Sequence, residues 1–320
     1  MSIHTSFTAD FGIRRPVVLA PMAAVSGGRL AAAVSHAGGL GLVGGGYGDP
    51  EWLRRELTLV TRETGEPWGV GFITWKLSTD VLARALDYRP AAVMLSFGDP
   101  GPHVPAIKRA GAHLICQVHD VQEARDAVAA GADVIVAQGT EAGGHGATRS
   151  TLPLVRATVE AVAPTPVLAA GGIVDGQSLA AALMLGAQGV VIGTRFYATP
   201  EALGHDRVKA ALVSGSGGQT YRTRVFDAAR GLEWPAFYTG RALRNVFAGR
   251  WEGREAELRT NNAAREEFRG AVRDGDTETA MVWAGEGVDL IDSLEPAAEL
   301  VSRMAAAAER TLRDAPGWLR

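Results

Sequence analysis

The sequence predicts an α/β fold, a (β/α)8 barrel of the TIM type with a C-terminal helical elaboration. Three observations predict it. Between Pro16 and Gly193, eight short apolar runs alternate with Ala-rich segments of helical period. The runs have almost none of the polar alternation that a one-faced antiparallel sheet would show, so each reads as a strand buried on both faces. A helix end, a glycine and a strand recur at Gly38, Gly111, Gly131 and Gly186, where the chain must turn through the left-handed region that glycine enters without a Cβ clash. Eight such units in about 180 residues suit a closed barrel. An open, doubly wound sheet is the alternative.

In chain order, the strands are expected at Val17–Ala20, Gly41–Val43, Gly69–Ile73, Ala92–Leu95, His113–Gln117, Asp133–Ala137, Pro166–Ala169 and Gly189–Ile192. Helices are clearest at Arg29–His36, Glu51–Arg62, Val121–Ala129 and Ser178–Leu185. After Gly193 the alternation fades, and Val213-Ser-Gly-Ser-Gly-Gly218 reads as a flexible connection. The segment 214–294 is expected to be a helical insertion, a lid packed on the barrel, with Trp234, Phe237, Tyr238, Phe247 and Trp251 among its aromatics. A last helix from Pro296 to Leu312 carries Leu300, Met304 and Ala308 at spacings of four, so residues 295–320 rejoin residues 1–213 as barrel wall.

Composition narrows the class. With 320 residues, 47% of them hydrophobic, and a formal charge of −3, the chain can bury a large core and is neither strongly acidic nor strongly basic. It has no run of about 18 apolar residues and no basic-then-apolar N-terminus, which argues against a membrane span or secretion. Cys116 is the single cysteine, so the chain forms no internal disulfide and no thiolate metal cage; within His113-Leu-Ile-Cys116 it reads as a small buried hydrophobe, and a cytoplasmic location fits. Eleven arginines fall between Arg222 and Arg273, but seven acidic residues are interleaved with them, which suits paired helix faces better than a nucleic-acid surface. No cluster of His and acidic residues at strand ends offers three metal ligands.

In a parallel barrel all strand C-termini open on one face. That rule gathers Ala20-Pro21-Met22-Ala23, Gly71-Phe72, Ser96, Gln117, Gln138, Gly143-Gly144-His145, Gly171-Gly172 and Gly193-Thr194 into one site. Met22 as a core gap-filler, the glycine pairs as plain turns and His145 as a satisfied structural imidazole are the bland readings of the same residues. Glycines after the seventh and eighth strands can form a backbone nest for a phosphate. No Gly-x-Gly-x-x-Gly follows the first strand and no Gly-Lys-Ser/Thr ending occurs, which points to a monophosphate rather than a dinucleotide or a triphosphate.

Ala20-Pro-Met-Ala23, Leu30 to Gly41, Ala137-Gln-Gly-Thr-Glu-Ala-Gly-Gly-His145, Ala170-Gly-Gly-Ile173 and Leu185 to Phe196 resemble the nitronate monooxygenases, in the same order and with similar spacing over about residues 12 to 200. The resemblance implies an FMN-dependent barrel that oxidises nitronates or nitroalkanes with O2 to carbonyl compounds and nitrite. It places Met22 and Ala23 along the flavin ring, Gln138 and Gly143 on the cofactor, Gly172 and Val191 to Thr194 at the phosphate, and His145 as the active-site histidine. Two positions depart from the family pattern: Gly71 stands where many members have asparagine, and Gly146 where a basic or bulkier residue commonly follows the histidine. The same segments look similar in flavin-dependent enoyl reductases and quinone reductases that use NAD(P)H. A non-catalytic barrel that kept the fold is the third reading, and a homo-oligomer is compatible with all three.

Overall fold

A computed structural model describes residues 3–318. Its first six strands are β1 (Val17–Leu19), β2 (Gly41–Gly46), β3 (Trp68–Ile73), β4 (Ala92–Ser96), β5 (His113–Val118) and β6 (Val134–Gln138). A three-residue strand, β7 (Gly144–Gly146), comes before β8 (Val167–Ala170) and β9 (Gly189–Ile192). Without β7, the eight pair in parallel in the order β1-β9-β8-β6-β5-β4-β3-β2. A bridge between Val18 and Leu40 closes the ring, with the Leu40 amide donating to the Val17 carbonyl at 2.9 Å. The architecture is a (β/α)8 barrel, with all eight strands where the apolar runs predict them.

Two-sided burial explains the missing polar alternation. Val18, Ile115, Leu168 and Val191 face the barrel interior, while their neighbours Val17, Leu19, Leu114, Cys116, Val167, Ala169, Val190 and Ile192 face the helices. Both faces are dry, so every strand position gains from an apolar side chain, by about 1.5–3 kcal/mol for a large one. Cys116 lies in the outer layer, and burial pushes its thiol up to about 12, which keeps it protonated and inert. The interior is plugged by Phe7 and Phe11 from a short helix, Ser6–Phe11, that the sequence reading did not anticipate. Thr5 and Thr8 cap one another at its start, and Gly12 ends it at φ +64°.

The four predicted helices occupy Gly28–His36, Pro50–Glu63, Val121–Ala130 and Gly176–Met184. Their starts are set by caps more than by apolar period: Asp49, Asp120 and Asp175 each accept a backbone N–H of the first turn. The final helix, Ala297–Asp314, buries Leu300, Met304 and Ala308 and packs on Gly176–Met184 and Gly28–His36. Gly176 permits that approach, since a Cβ there would lie 2.4 Å from the Ala307 methyl and 2.6 Å from the Met304 carbonyl oxygen.

The segment 214–294 is not purely helical. It contributes β10 (Thr220–Thr223) and β11 (Thr239–Leu243), which form an antiparallel sheet in the order β10-β11-β7. These strands are short and polar, with Arg222 and Arg241 inside them, and they exist because a tertiary partner, β7, is present to pair with. Four helices, Val225–Arg230, Val246–Trp251, Glu255–Thr260 and Asn262–Asp274, pack over a core that includes Phe226, Phe247, Trp251, Leu258 and Phe268. All eleven arginines of this region are engaged by the protein, seven with carboxylates and Arg222, Arg224, Arg259 and Arg265 with carbonyl or hydroxyl oxygens. No helix among the described residues is long and apolar enough to cross a membrane.

Candidate active site

The C-terminal ends of the barrel strands and the segment 214–294 enclose a cavity of about 560 Å³. Ala20, Pro21, Met22, Ala23, Ser96, Gln117, Gln138, Gly143, Gly144, His145, Gly171, Gly172, Gly193 and Thr194 all line it. From the inserted segment come Arg230, Trp234, Val272, Met281 and Trp283. Among the aromatics of that segment, Trp234 faces the cavity, Tyr238 packs on Phe97 and His119 outside its wall, and Trp251 lies in the segment's own core. Backbone strain gathers here. Ala24 at φ +59° and Phe97 at φ +65° are two of the three described non-glycine residues in the left-handed region, and both line the cavity.

Gly71 is the exception among the predicted site residues. It does not border the cavity, because a Cβ there would lie 2.2 Å from Pro21 Cγ. The proline ring fills the space an asparagine side chain would need, so the first departure from the family pattern is a packing change between β3 and the turn after β1. The second departure has a similar explanation. A Cβ at Gly146 would lie 2.9 Å from an Arg222 guanidinium nitrogen, so a basic group reaches this place from β10. Arg222 donates to the Thr140 hydroxyl at 2.8 Å and the Thr140 carbonyl at 2.9 Å, and Arg241 donates to that same carbonyl at 2.8 Å. The two guanidinium groups thereby clamp the loop between β6 and β7.

His145 is held on three sides. β7 pairs it with Gly240 of β11, Nε2 lies 2.9 and 3.0 Å from the two Asp227 carboxylate oxygens, and the Trp234 indole stacks on the imidazole at 3.6 Å with 5° between the planes. Asp227 is itself buried, with Arg230 3.9 Å away. Burial lowers the His145 pKa below the ordinary 6.5; the hydrogen bond and charge of Asp227 oppose this, and the charges of Arg230 and Arg222 add to it. The imidazole is therefore neutral at pH 7, with the Nε2 hydrogen directed to Asp227 and Nδ1 left as the basic nitrogen. Sequence reasoning missed Asp227, Arg230 and Trp283. The only sign of the first is an acid inside the apolar run Val225-Phe-Asp-Ala-Ala229, with no motif around it.

The cavity wall formed by the turns after β8 and β9 fits a phosphate-bearing cofactor. Among the described residues, none accepts the amides of Gly172, Ile173 or Gly193. Gly171 and Gly172 turn through φ +106° and +71°. A Cβ at Gly193 would touch Met22 Sδ at 3.5 Å and the Ala20 methyl at 3.6 Å, ordinary contacts, so no protein atom claims that place. Thr194 Oγ1 accepts from the Gly285 amide at 3.0 Å, which leaves its own hydrogen for an acceptor in the cavity. Among the described residues, no three His, Cys, Asp or Glu side chains gather as a metal site.

A closed parallel barrel whose strand ends present glycine turns beside a buried imidazole–carboxylate pair places acid–base chemistry next to a site for a phosphate-bearing ligand. The sequence model of the nitronate monooxygenase family matches residues 4–81 and 72–307. The chain belongs to the nitronate monooxygenase family. It is 33% identical to a nitronate monooxygenase of Neurospora crassa over 94% of this chain and 91% of that protein. Among solved structures it resembles FabK from Thermotoga maritima, with TM-score 0.88, 32% identity and coverage of 99% and 100% of the two chains. It also resembles nitroalkane oxidase from Streptomyces ansochromogenes, with TM-score 0.84, 30% identity and coverage of 97% and 100%.

Proposed function

We propose that this oxidoreductase uses FMN and O2 to convert nitronates, and the nitroalkanes they derive from, into carbonyl compounds and nitrite. The observation that carries the reading is the His145–Asp227 pair at 2.9 Å, with His145 lining the same cavity as the open glycine turns. Met22 and Ala23 would lie along the flavin ring, Gln138 and Gly143 would contact the cofactor, and Gly172, Gly193 and Thr194 would hold the phosphate. Bound flavin supplies the electron acceptor. The protein's part is acid–base chemistry and placement: neutral His145 takes the α-proton of a nitroalkane at Nδ1, and the resulting imidazolium is stabilised by Asp227 and sits beside the nitronate anion it has made. Trp234 and Trp283 hold the ring and keep water from it. Segment 214–294 acts as the lid in this reading, since it supplies Asp227, Trp234 and Trp283.

The test is nitrite release coupled to oxygen uptake from a small nitronate with no nicotinamide present. Flavin bleaching by NAD(P)H under anaerobic conditions, with no nitrite from any nitronate, would assign the protein to the reductase reading instead. Heat release and chromatography of the bound flavin should return FMN, because the open amides of Gly172, Ile173 and Gly193 suit one phosphate and the chain carries no dinucleotide fingerprint. Recovery of mainly FAD contradicts that assignment.

Gly193→Leu isolates the phosphate contact. The φ of −106° at this position suits any L residue and the Cβ meets only ordinary contacts, so the variant is expected to fold. Its side chain then occupies the cofactor's place, and flavin content should fall at least tenfold. A folded Gly193→Leu protein with full flavin content removes Gly193 from the site.

A further inference from the structure

Beneath the cavity wall lies a second histidine that the proposed chemistry does not use. His119 follows β5, and its side chain is fully buried. Nε2 lies 2.9 Å from Gln138 Oε1, and Nδ1 lies 3.2 Å from Glu123 Oε2, which also accepts the His119 backbone N–H at 2.7 Å. Gln117 Nε2 donates to the same Gln138 oxygen at 3.2 Å. Phe97 stacks on the imidazole at 5.3 Å, and the Tyr238 ring lies 5.1 Å away. His119 does not line the cavity, whereas Gln138 and Gln117 do.

We propose that His119 is a positioning residue for Gln138: its ring carries both hydrogens, Nδ1–H donating to the Glu123 carboxylate and Nε2–H to the Gln138 carbonyl, so that the Gln138 amide hydrogens are what this wall offers to the bound cofactor. A free glutamine side chain has three rotatable bonds and two amide orientations, and ordering it costs on the order of 1–2 kcal/mol. Two donors converging on one oxygen remove that freedom and settle which end of the amide is left. The group facing Gln138 must then be a hydrogen-bond acceptor, a ring carbonyl or an unprotonated ring nitrogen. A donor fixed there favours the electron-rich form of that ring, so His119 acts on flavin affinity and potential through Gln138 without touching the flavin. Glu123 anchors the arrangement. Burial raises its carboxyl, but hydrogen bonds from the His119 side chain and backbone and from Tyr238 hold it below the ordinary carboxylate range.

This inference rests on the FMN reading for its flavin readouts, and one arm of the test is independent of it. A two-bond 1H–15N spectrum of the protein should show His119 Nε2 carrying hydrogen, with its resonance moving in Gln138→Leu. A bare Nε2 overturns the proposal whether or not flavin is bound. In the holoenzyme, His119→Leu should weaken flavin binding about tenfold and lower the flavin midpoint potential, the loss expected for one hydrogen bond and a loosened partner. His119→Gln, which places an amide N–H near the lost Nε2–H, should restore most of both. In a Gln138→Leu background, His119→Leu should change neither any further. Additive losses, or His119→Gln as poor as His119→Leu, would show a packing role only. If His119→Leu does not fold, Glu123→Gln takes its place in the cycle, with a smaller loss expected only when Gln138 is present. A colourless wild-type protein rejects the FMN reading and leaves the nitrogen spectrum to decide on His119.

Discussion

His145→Ala should lower turnover of a neutral nitroalkane by about 10²–10⁴ while the flavin stays bound, because general base catalysis by a positioned side chain is worth that much. Flavin retention follows from the geometry: the free amides and Thr194 stand at other strand ends, and Gln138 is fixed by His119 and Gln117. A preformed nitronate needs no deprotonation, so the same variant should lose much less with it. Initial rates of nitrite release from both substrates check this. Near-normal nitroalkane turnover in a flavin-loaded His145→Ala enzyme would show the imidazole to be structural. pH adds a second signature. His145 sits below its ordinary 6.5, so the wild-type kcat/KM for a nitroalkane should hold from neutral pH down past that value and fall only at lower pH, as Nδ1 takes a proton. Stability shifts in the same direction. The unfolded imidazole binds a proton at about 6.5 and the folded one only at lower pH, so the unfolded state gains protons first, and stability falls as pH drops below about 6.5.

Asp227→Asn should cost nearly as much in nitroalkane turnover, about 10²–10⁴, through a different route. The carboxylate accepts the Nε2 hydrogen and thereby leaves Nδ1 bare. An amide in its place can turn its NH2 toward Nε2, which favours the tautomer with hydrogen on Nδ1 and removes the base. Asp227 also raises the His145 pKa, so its loss should carry the acid limb of any residual activity to still lower pH. Because asparagine keeps the shape and a hydrogen-bonding capacity, the fold should survive with a stability loss of about 1–3 kcal/mol. Thermal unfolding of the variant, together with rates on nitroalkane and nitronate, separates the two roles. Wild-type nitroalkane rates in a folded Asp227→Asn protein would mean that the tautomer does not matter.

The barrel was legible because its strands are dry on both faces and its αβ turns need glycine. Gly38, Gly111, Gly131 and Gly186 indeed carry φ values from +75° to +110°. The strand-end rule gathered every proposed cavity residue except Gly71, where the competing demand was steric: the Pro21 ring already fills the space. What the sequence concealed depends on contacts between distant segments. Asp227 meets His145 across 82 positions of chain, and β10 and β11 are strands only because β7 lies beside them. The helix Ser6–Phe11 is too short to show a period and is made by its caps and by the barrel end that Phe7 and Phe11 fill.

β7 gives the molecule an unusual division of labour. Its three residues leave the barrel's sixth strand and end as the edge of the sheet that β10 and β11 begin, so the histidine is carried by the covering segment's framework and only tethered to the barrel. The cover therefore cannot swing away as a unit without taking the imidazole with it. For anyone exchanging covers between related barrels to change substrate range, residues 139–146 must travel with 214–294 as one cassette. A graft cut at the chain boundaries of the insertion alone would separate His145 from Asp227 and join two incomplete halves of one site.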